Sequence, residues 1–122
     1  MTLAPASTPH DFRSDCSISR VLEVAGDKWT LLIVRDLLWH GRHTFQALQA
    51  SDEHIPPNIL SVRLRRLMDW GLVIREPYQE RPTRYAYDLT DAGRALEPIL
   101  LQLMAWGHEH LGGGNFKPPE HQ

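Results

Sequence analysis

Three observations predict a mainly helical α+β fold for this chain. Apolar residues recur at helical spacing along most of residues 16–111, and capping residues or glycines bound each stretch. One stretch, 83–89, instead alternates apolar and polar residues, and a second extended run, 72–78, precedes it across a polar turn. The flanks behave differently. Residues 1–15 are rich in Pro, Ser and Thr, and residues 112–122 read GGGNFKPPEHQ. Neither shows a period, so they are expected as a flexible N-terminal arm and a flexible C-terminal tail around a folded part at 16–111.

The elements follow in order. Ser17 is a fair N-cap for a helix over 17–25, in which Ile18, Val21, Leu22 and Ala25 share a face and which Gly26 ends. Asp27 caps a second helix over 28–39. Its Trp29, Leu31, Leu32, Ile33, Val34, Leu37 and Leu38 are apolar on nearly all sides, which predicts a place in the middle of the core. Thr44 caps a short helix, 45–50, and the loop SDEHIPP follows. Pro57 opens the next helix, in a first turn where its missing N–H costs nothing. That helix runs to about Trp70, with Leu60, Leu64, Leu67 and Met68 on one face. After Gly71 comes a hairpin of 72–78 and 83–89, with Tyr85, Tyr87 and Leu89 facing one way and Arg84, Ala86 and Asp88 the other. Thr90 then caps a long helix over 91–111, bent by Pro98.

Composition bounds the function. A chain of 122 residues is one domain, and 42% hydrophobic residues suffice for a core. The net charge of −2 does not itself suggest nucleic-acid binding, so a basic patch has to be local. Eleven of the 13 basic residues are arginine, whose planar fork suits guanine edges and phosphates. No apolar run approaches a bilayer span and the first residues lack a secretory pattern, so a cytoplasmic protein without membrane contact is expected. The single cysteine, Cys16, excludes an internal disulfide and zinc sites with two or more thiolates from one chain. The seven histidines do not group, so neither a metal nor a cofactor is expected.

Two short helices joined by a tight loop and followed by a polar-tipped hairpin make a winged helix-turn-helix. The second helix of such a pair enters the major groove of double-stranded DNA, and the hairpin flanks it. Turning helix 57–70 by about 100° per residue puts Asn58, Ser61, Val62, Arg65, Arg66 and Asp69 away from the core, with Arg63 on the flank. Arginine pairs bidentately with guanine, Asn58 suits adenine, and Val62 suits a thymine methyl. Ser61 and Arg63 fit phosphate. Thr44 and Gln46 of the preceding helix and Arg75, Arg81 and Arg84 of the wing complete the expected DNA-binding set. The competing reading is that these arginines only keep a surface helix soluble. The loop length and the hairpin favour DNA.

The last helix carries more apolar surface than one small core covers. Ile99, Leu103 and Trp106, with Val21 and Leu22, are therefore expected to form a two-fold contact between copies. Cys16 lies ahead of a helix N-terminus, where the dipole favours a thiolate, and Arg20 follows one turn on. It is a candidate redox or electrophile sensor, or else a small thiol at the dimer seam. Trp29, Trp39, Trp70 and Trp106 are expected in the core rather than around an effector. Two alternatives remain: an enzyme using Cys16 as nucleophile with a histidine base (His10, His108 or His110), and a winged helix that binds only protein.

The segments CSISRVLEVAGDKWTLLIVRDLL, IPPNILSVRLRRLMDWGLV, TRYAYDLTDAGRALEPIL and AWGHEHL resemble the HxlR-type winged helix-turn-helix regulators, small relatives of the MarR group. The likeness covers about residues 16–111. It implies a homodimer on a near-palindromic operator, usually a repressor, with a cysteine matching Cys16 that responds to oxidants or electrophiles in some members. Asn58 and Val62 depart from the residues common in the family, so no operator sequence carries over.

Overall fold

The computed structural model describes residues 11–112. Residues 1–10 of the expected arm, with His10, and residues 113–122 of the expected tail lie outside the described residues.

The chain runs α1 (Ser17–Ala25), α2 (Thr30–Trp39), α3 (Phe45–Gln49), α4 (Pro57–Asp69), β1 (Val73–Glu80), β2 (Thr83–Leu89), α5 (Asp91–Arg94) and α6 (Glu97–His110). The mainly helical α+β class holds. Several boundaries move. Cys16, not Ser17, is the N-cap of α1, and it makes no side-chain capping bond. Helix α2 starts at Thr30 because the Asp27 carboxylate gathers the preceding turn. It accepts the N–H groups of Trp29 and Thr30 at 3.0 Å each and the Thr30 hydroxyl at 2.5 Å. Thr44 caps α3 as expected, its Oγ1 accepting the Ala47 N–H at 3.1 Å.

The expected long bent helix over 91–111 is two helices. Thr90 caps α5 through the Gly93 N–H, the chain turns at Ala95 and Leu96, and α6 begins afresh. Pro98 therefore sits in a first turn and bends nothing. The break follows from close approach: a Cβ on Gly93 would stand 2.3 Å from the Leu72 carbonyl oxygen. The Thr90 hydroxyl also donates to the Gly71 carbonyl at 2.7 Å. Together these contacts pin α5 against the start of β1.

One core joins the elements. Val34, Leu48, Leu60, Leu64, Leu67 and Val73 are its most deeply buried side chains, with Ile33, Leu37, Tyr87, Leu89 and Leu100 around them. Trp29 and Trp39 pack against it in part, as expected, and the Trp39 indole donates to Glu97 at 2.7 Å. Strand β1 is longer than expected. It pairs antiparallel with β2 from Val73↔Leu89 to Glu80↔Thr83, with an irregularity between Pro77 and Gln79. The hairpin is also tied to the helices. Thr44 bridges Ala86, and the Tyr87 N–H donates to the His43 carbonyl at 2.7 Å.

Sequence reading missed a buried charge. Asp36 is 2% exposed on α2, and Arg35 meets its Oδ1 at 2.9 Å. Burial pushes the Asp36 carboxyl up, against the pull of Arg35 and Arg42. Arg35 also grips both oxygens of Glu53, at 2.8 and 2.9 Å. The acidic loop ahead of α4 thus turns one carboxylate inward onto α2.

Those hydrogen bonds hold the Glu53 carboxyl at about 2, below its ordinary 4.5. Its share of stability is therefore complete above pH 4.5 and disappears as pH falls toward 2. Glu53→Gln is expected to cost about 1 kcal/mol at neutral pH, since solvent screens a carboxylate that is 37% exposed. Urea unfolding of parent and variant should converge as pH drops through that window. A constant gap from pH 6 to about 2 would show that the pair contributes nothing.

Candidate nucleic-acid interface

The α4 helix divides into two faces. Leu60, Leu64 and Leu67 are at most 2% exposed. Asn58, Ser61, Val62, Arg65, Arg66 and Asp69 are exposed on the opposite side. Proline at the first position starts the helix, and Gly71, at φ 76°, lets the chain turn into β1. The outward face therefore carries two exposed guanidinium groups, an amide, a hydroxyl and one apolar contact, with the Asp69 carboxylate at its C-terminal end.

Arg63 departs from expectation. It lies three residues after Leu60 and four before Leu67, beside the buried stripe rather than on the open face. Its Nε donates to Asp27 Oδ2 at 2.9 Å, and its side chain is only 21% exposed. Burial works against the Asp27 carboxylate. The bonds from Thr30 and Trp29 and the Arg63 charge outweigh it and hold Asp27 below its ordinary value. Arg63 is thus engaged inside the domain instead of being held out for phosphate.

The wing presents Arg81 and Arg84, both exposed, at and beside its tip. The Gln79 amide donates to the Pro82 carbonyl at 3.0 Å and braces that tip. Arg75 differs. Its guanidinium lies 3.8 Å from the centre of the Tyr85 ring, so it covers the base of the hairpin.

Between α3 and the wing runs a groove of about 400 Å³. Thr44, Gln46 and Gln49 line one wall, and Tyr78, Thr83 and Arg84 line the other. Gln49 and Tyr78 were not singled out from sequence. The signal for Gln49 was present, since it follows Gln46 at i+3 on a helix that buries only Leu48. No pattern marked Tyr78, because the strand irregularity beside it breaks the alternation.

The outer elements hold the remaining candidates. Cys16 is a free, exposed thiol. The Arg20 guanidinium does not attend it. It donates to Asp15 at 3.2 Å and to the Ser14 carbonyl at 3.0 Å, and it stacks 4.6 Å from the Phe12 ring centre. Residues 11–15, expected to belong to the flexible arm, fold back on α1. Arg13 bonds Glu23 and Ser19, and the Phe12 ring lies 5.6 Å from that of Trp70. Val21, Leu22, Ile99, Leu103 and Trp106 are all between 46% and 58% exposed. Trp106 thus lies outside the core where aromatic periodicity placed it. Among the described residues no group of three or more His, Cys, Asp or Glu could hold a metal. No helix among them is long and apolar enough to cross a membrane.

Comparison with known proteins agrees with this architecture. The profile of the HxlR-like helix-turn-helix family matches residues 24–114. MT3179 of Mycobacterium tuberculosis (strain CDC 1551 / Oshkosh), named as an HTH-type transcriptional regulator, is 41% identical over 109 residues, 89% of this chain and 67% of that protein. YdeP of Bacillus subtilis (strain 168), named likewise, is 31% identical over 82% of this chain and 80% of its own length. The solved structure of the redox regulator HypR in its oxidized form superposes with a TM-score of 0.66 at 34% identity, covering 78% of this chain and 97% of that one. The reduced form of the transcriptional regulator YodB from B. subtilis gives a TM-score of 0.66 at 25% identity, covering 84% and 100%. With its helix-turn-helix and two-stranded wing, this chain belongs to the HxlR-like helix-turn-helix family of transcriptional regulators.

Proposed function

We propose that the protein is a cytoplasmic homodimer that binds a near-palindromic operator in double-stranded DNA and represses transcription there. Its folded unit is 16–111, with residues 11–15 packed back on α1. The observation that carries the reading is the open face of α4, with Asn58, Ser61, Val62, Arg65 and Arg66 exposed beside a wing that bears Arg81 and Arg84. These residues supply both base-edge and phosphate chemistry on one side of the molecule. Gln46 and Thr44 at the groove rim and Arg75 at the wing base join them as supporting contacts, while Arg63 stays paired with Asp27. Repression is the mode that the family resemblance implies.

Binding should weaken steeply with salt, because arginines that neutralise phosphates release counterions. Against a duplex from the gene's own upstream region, Arg65→Ala is expected to lose about 1–3 kcal/mol of affinity, the worth of one bidentate base contact. If the parent protein holds that duplex no better than random DNA, sequence-specific regulation is wrong.

The homodimer reading rests on the uncovered apolar faces of α1 and α6. A tryptophan 58% exposed beside Ile99 and Leu103 calls for a cover, and the same helix on a second copy is self-complementary. Sedimentation should give twice the 14.0 kDa chain mass at micromolar concentration, and Leu103→Asp should move the species to 14.0 kDa. A parent sedimenting as the single chain defeats the dimer.

Oxidant control through Cys16 is the second part of the proposal. The thiol is exposed at the α1 N-cap, and the similar proteins HypR and YodB include a redox regulator and a form treated with diamide. Two Cys16 thiols from paired copies would form one S–S bond, passing two electrons and two protons to diamide. Diamide is expected to change operator affinity in the parent and to leave Cys16→Ser unaffected. An unchanged parent removes the sensor.

A further inference from the structure

Two ion pairs tie the α2 segment to the α4 segment: one reaches α4 itself, and the other reaches the loop that leads into it. Asp27, just ahead of α2, takes Arg63 of α4 at 2.9 Å. Arg35, in the middle of α2, takes both oxygens of Glu53, four residues ahead of α4, at 2.9 and 2.8 Å. One anchor holds the middle of α4 and the other holds its entry loop, so the helix and its approach are each tied to the α2 segment. The leucine stripe does something else: it decides which face of α4 turns inward. Apolar contact is non-directional and tolerates sliding and tilt. A guanidinium fork meeting a carboxylate does not.

Both pairs are built rather than incidental. The Arg35 and Arg63 side chains are each 21% exposed. Each pair is also held from behind. The Asp27 carboxylate is fixed by the Trp29 and Thr30 N–H groups, and Arg35 is fixed by the buried carboxylate of Asp36. Arg63 is also the one member of the Arg63, Arg65, Arg66 set that turns away from solvent.

We propose that Asp27–Arg63 and Arg35–Glu53 are positioning pairs that set the pose of α4 on the duplex, so that discrimination between sequences depends on them. This rests on the reading of α4 as the helix that contacts DNA. None of the four residues then has to touch a base. Each pair acts by keeping Asn58, Val62 and Arg65 in register with base edges.

The sign of the effect separates positioning from simple charge. Removing the negative charge of Asp27 or Glu53 makes the protein more cationic, so electrostatics alone predicts tighter binding to every duplex. Positioning predicts weaker binding to the preferred sequence. The probes are a duplex enriched from a random library by the parent protein and an unselected duplex from the same library. In both Glu53→Gln and Asp27→Asn, the ratio of enriched to unselected affinity is expected to fall about tenfold, the scale of losing one base-pair contact. Unselected affinity should hold or rise. Glu53→Asp, which keeps the charge, should recover part of the ratio. In Asp27→Asn the released Arg63 should gain a phosphate and steepen the log–log salt slope by about one.

Thermal melting reports whether each variant is folded, and either variant alone carries the test. A ratio within about twofold of the parent's in the folded variants overturns the proposal. So does an equal loss on both duplexes, which is the signature of mere destabilisation. A parent that enriches no sequence overturns the DNA-contacting role of α4 itself, an outcome distinct from a parent that enriches a sequence which both variants read equally well.

Discussion

Burial of the Leu60–Leu64–Leu67 stripe is the constraint on which the rest of the structure depends. Each of these side chains is at most 2% exposed, and fully burying a leucine is worth about 1.5–3 kcal/mol. With that stripe turned inward, the helical period leaves no choice for Asn58, Ser61, Val62, Arg65 and Arg66: they face out. Gly71, at φ 76°, then turns the chain from the end of α4 into the wing. Val73 and Leu89, paired across the first rung, close the core beneath it. The proposed DNA face is thus the complement of a packing decision. It did not need separate construction.

Around that core, charge does a different job. Asp36 is a buried carboxylate, which is costly unless partnered, and Arg35 answers it. The guanidinium then has capacity left for Glu53, so the cost of burying one acid is linked to the ordering of a loop 18 residues away. Asp27 works similarly ahead of α2, holding the turn that leads into the helix while it pairs with Arg63. The central helix is therefore apolar enough to organise the interior and charged enough to orient its neighbours.

Much of this was legible from residues alone, for identifiable reasons. The α4 faces follow from strict spacing of leucines, and β2 from strict alternation, so both were placed correctly. Thr44 and Thr90 declared themselves as caps by residue type, whereas Asp27, expected to cap the second helix, holds the turn ahead of it and Trp29 takes the cap position. What escaped depended on contacts between distant segments. Asp36 sits among leucines on a helix whose sequence looks uniformly apolar, and no local pattern says which acid is buried. Arg63 looks like its neighbours Arg65 and Arg66, and only the position of Asp27, 36 residues earlier, sets it apart. The break between α5 and α6 was hidden because their apolar periods run on through Leu96. It comes from the closeness of Gly93 to the Leu72 carbonyl, a feature of the folded chain. The packing of Phe12 on Trp70 was equally invisible in a segment without periodicity.

The wing does not hang from the domain by its ends alone. The Thr44–Ala86 bridge and the Tyr87-to-His43 hydrogen bond stitch its second strand to the backbone just before α3. A hairpin sutured at mid-length has little freedom to swing, so its tip and α4 form a caliper with a preset jaw. If α4 and the wing contact DNA as proposed, such a caliper fits a groove of one width. Tolerance for narrower or wider grooves would then reside in the side chains near the tip, Arg81 and Arg84.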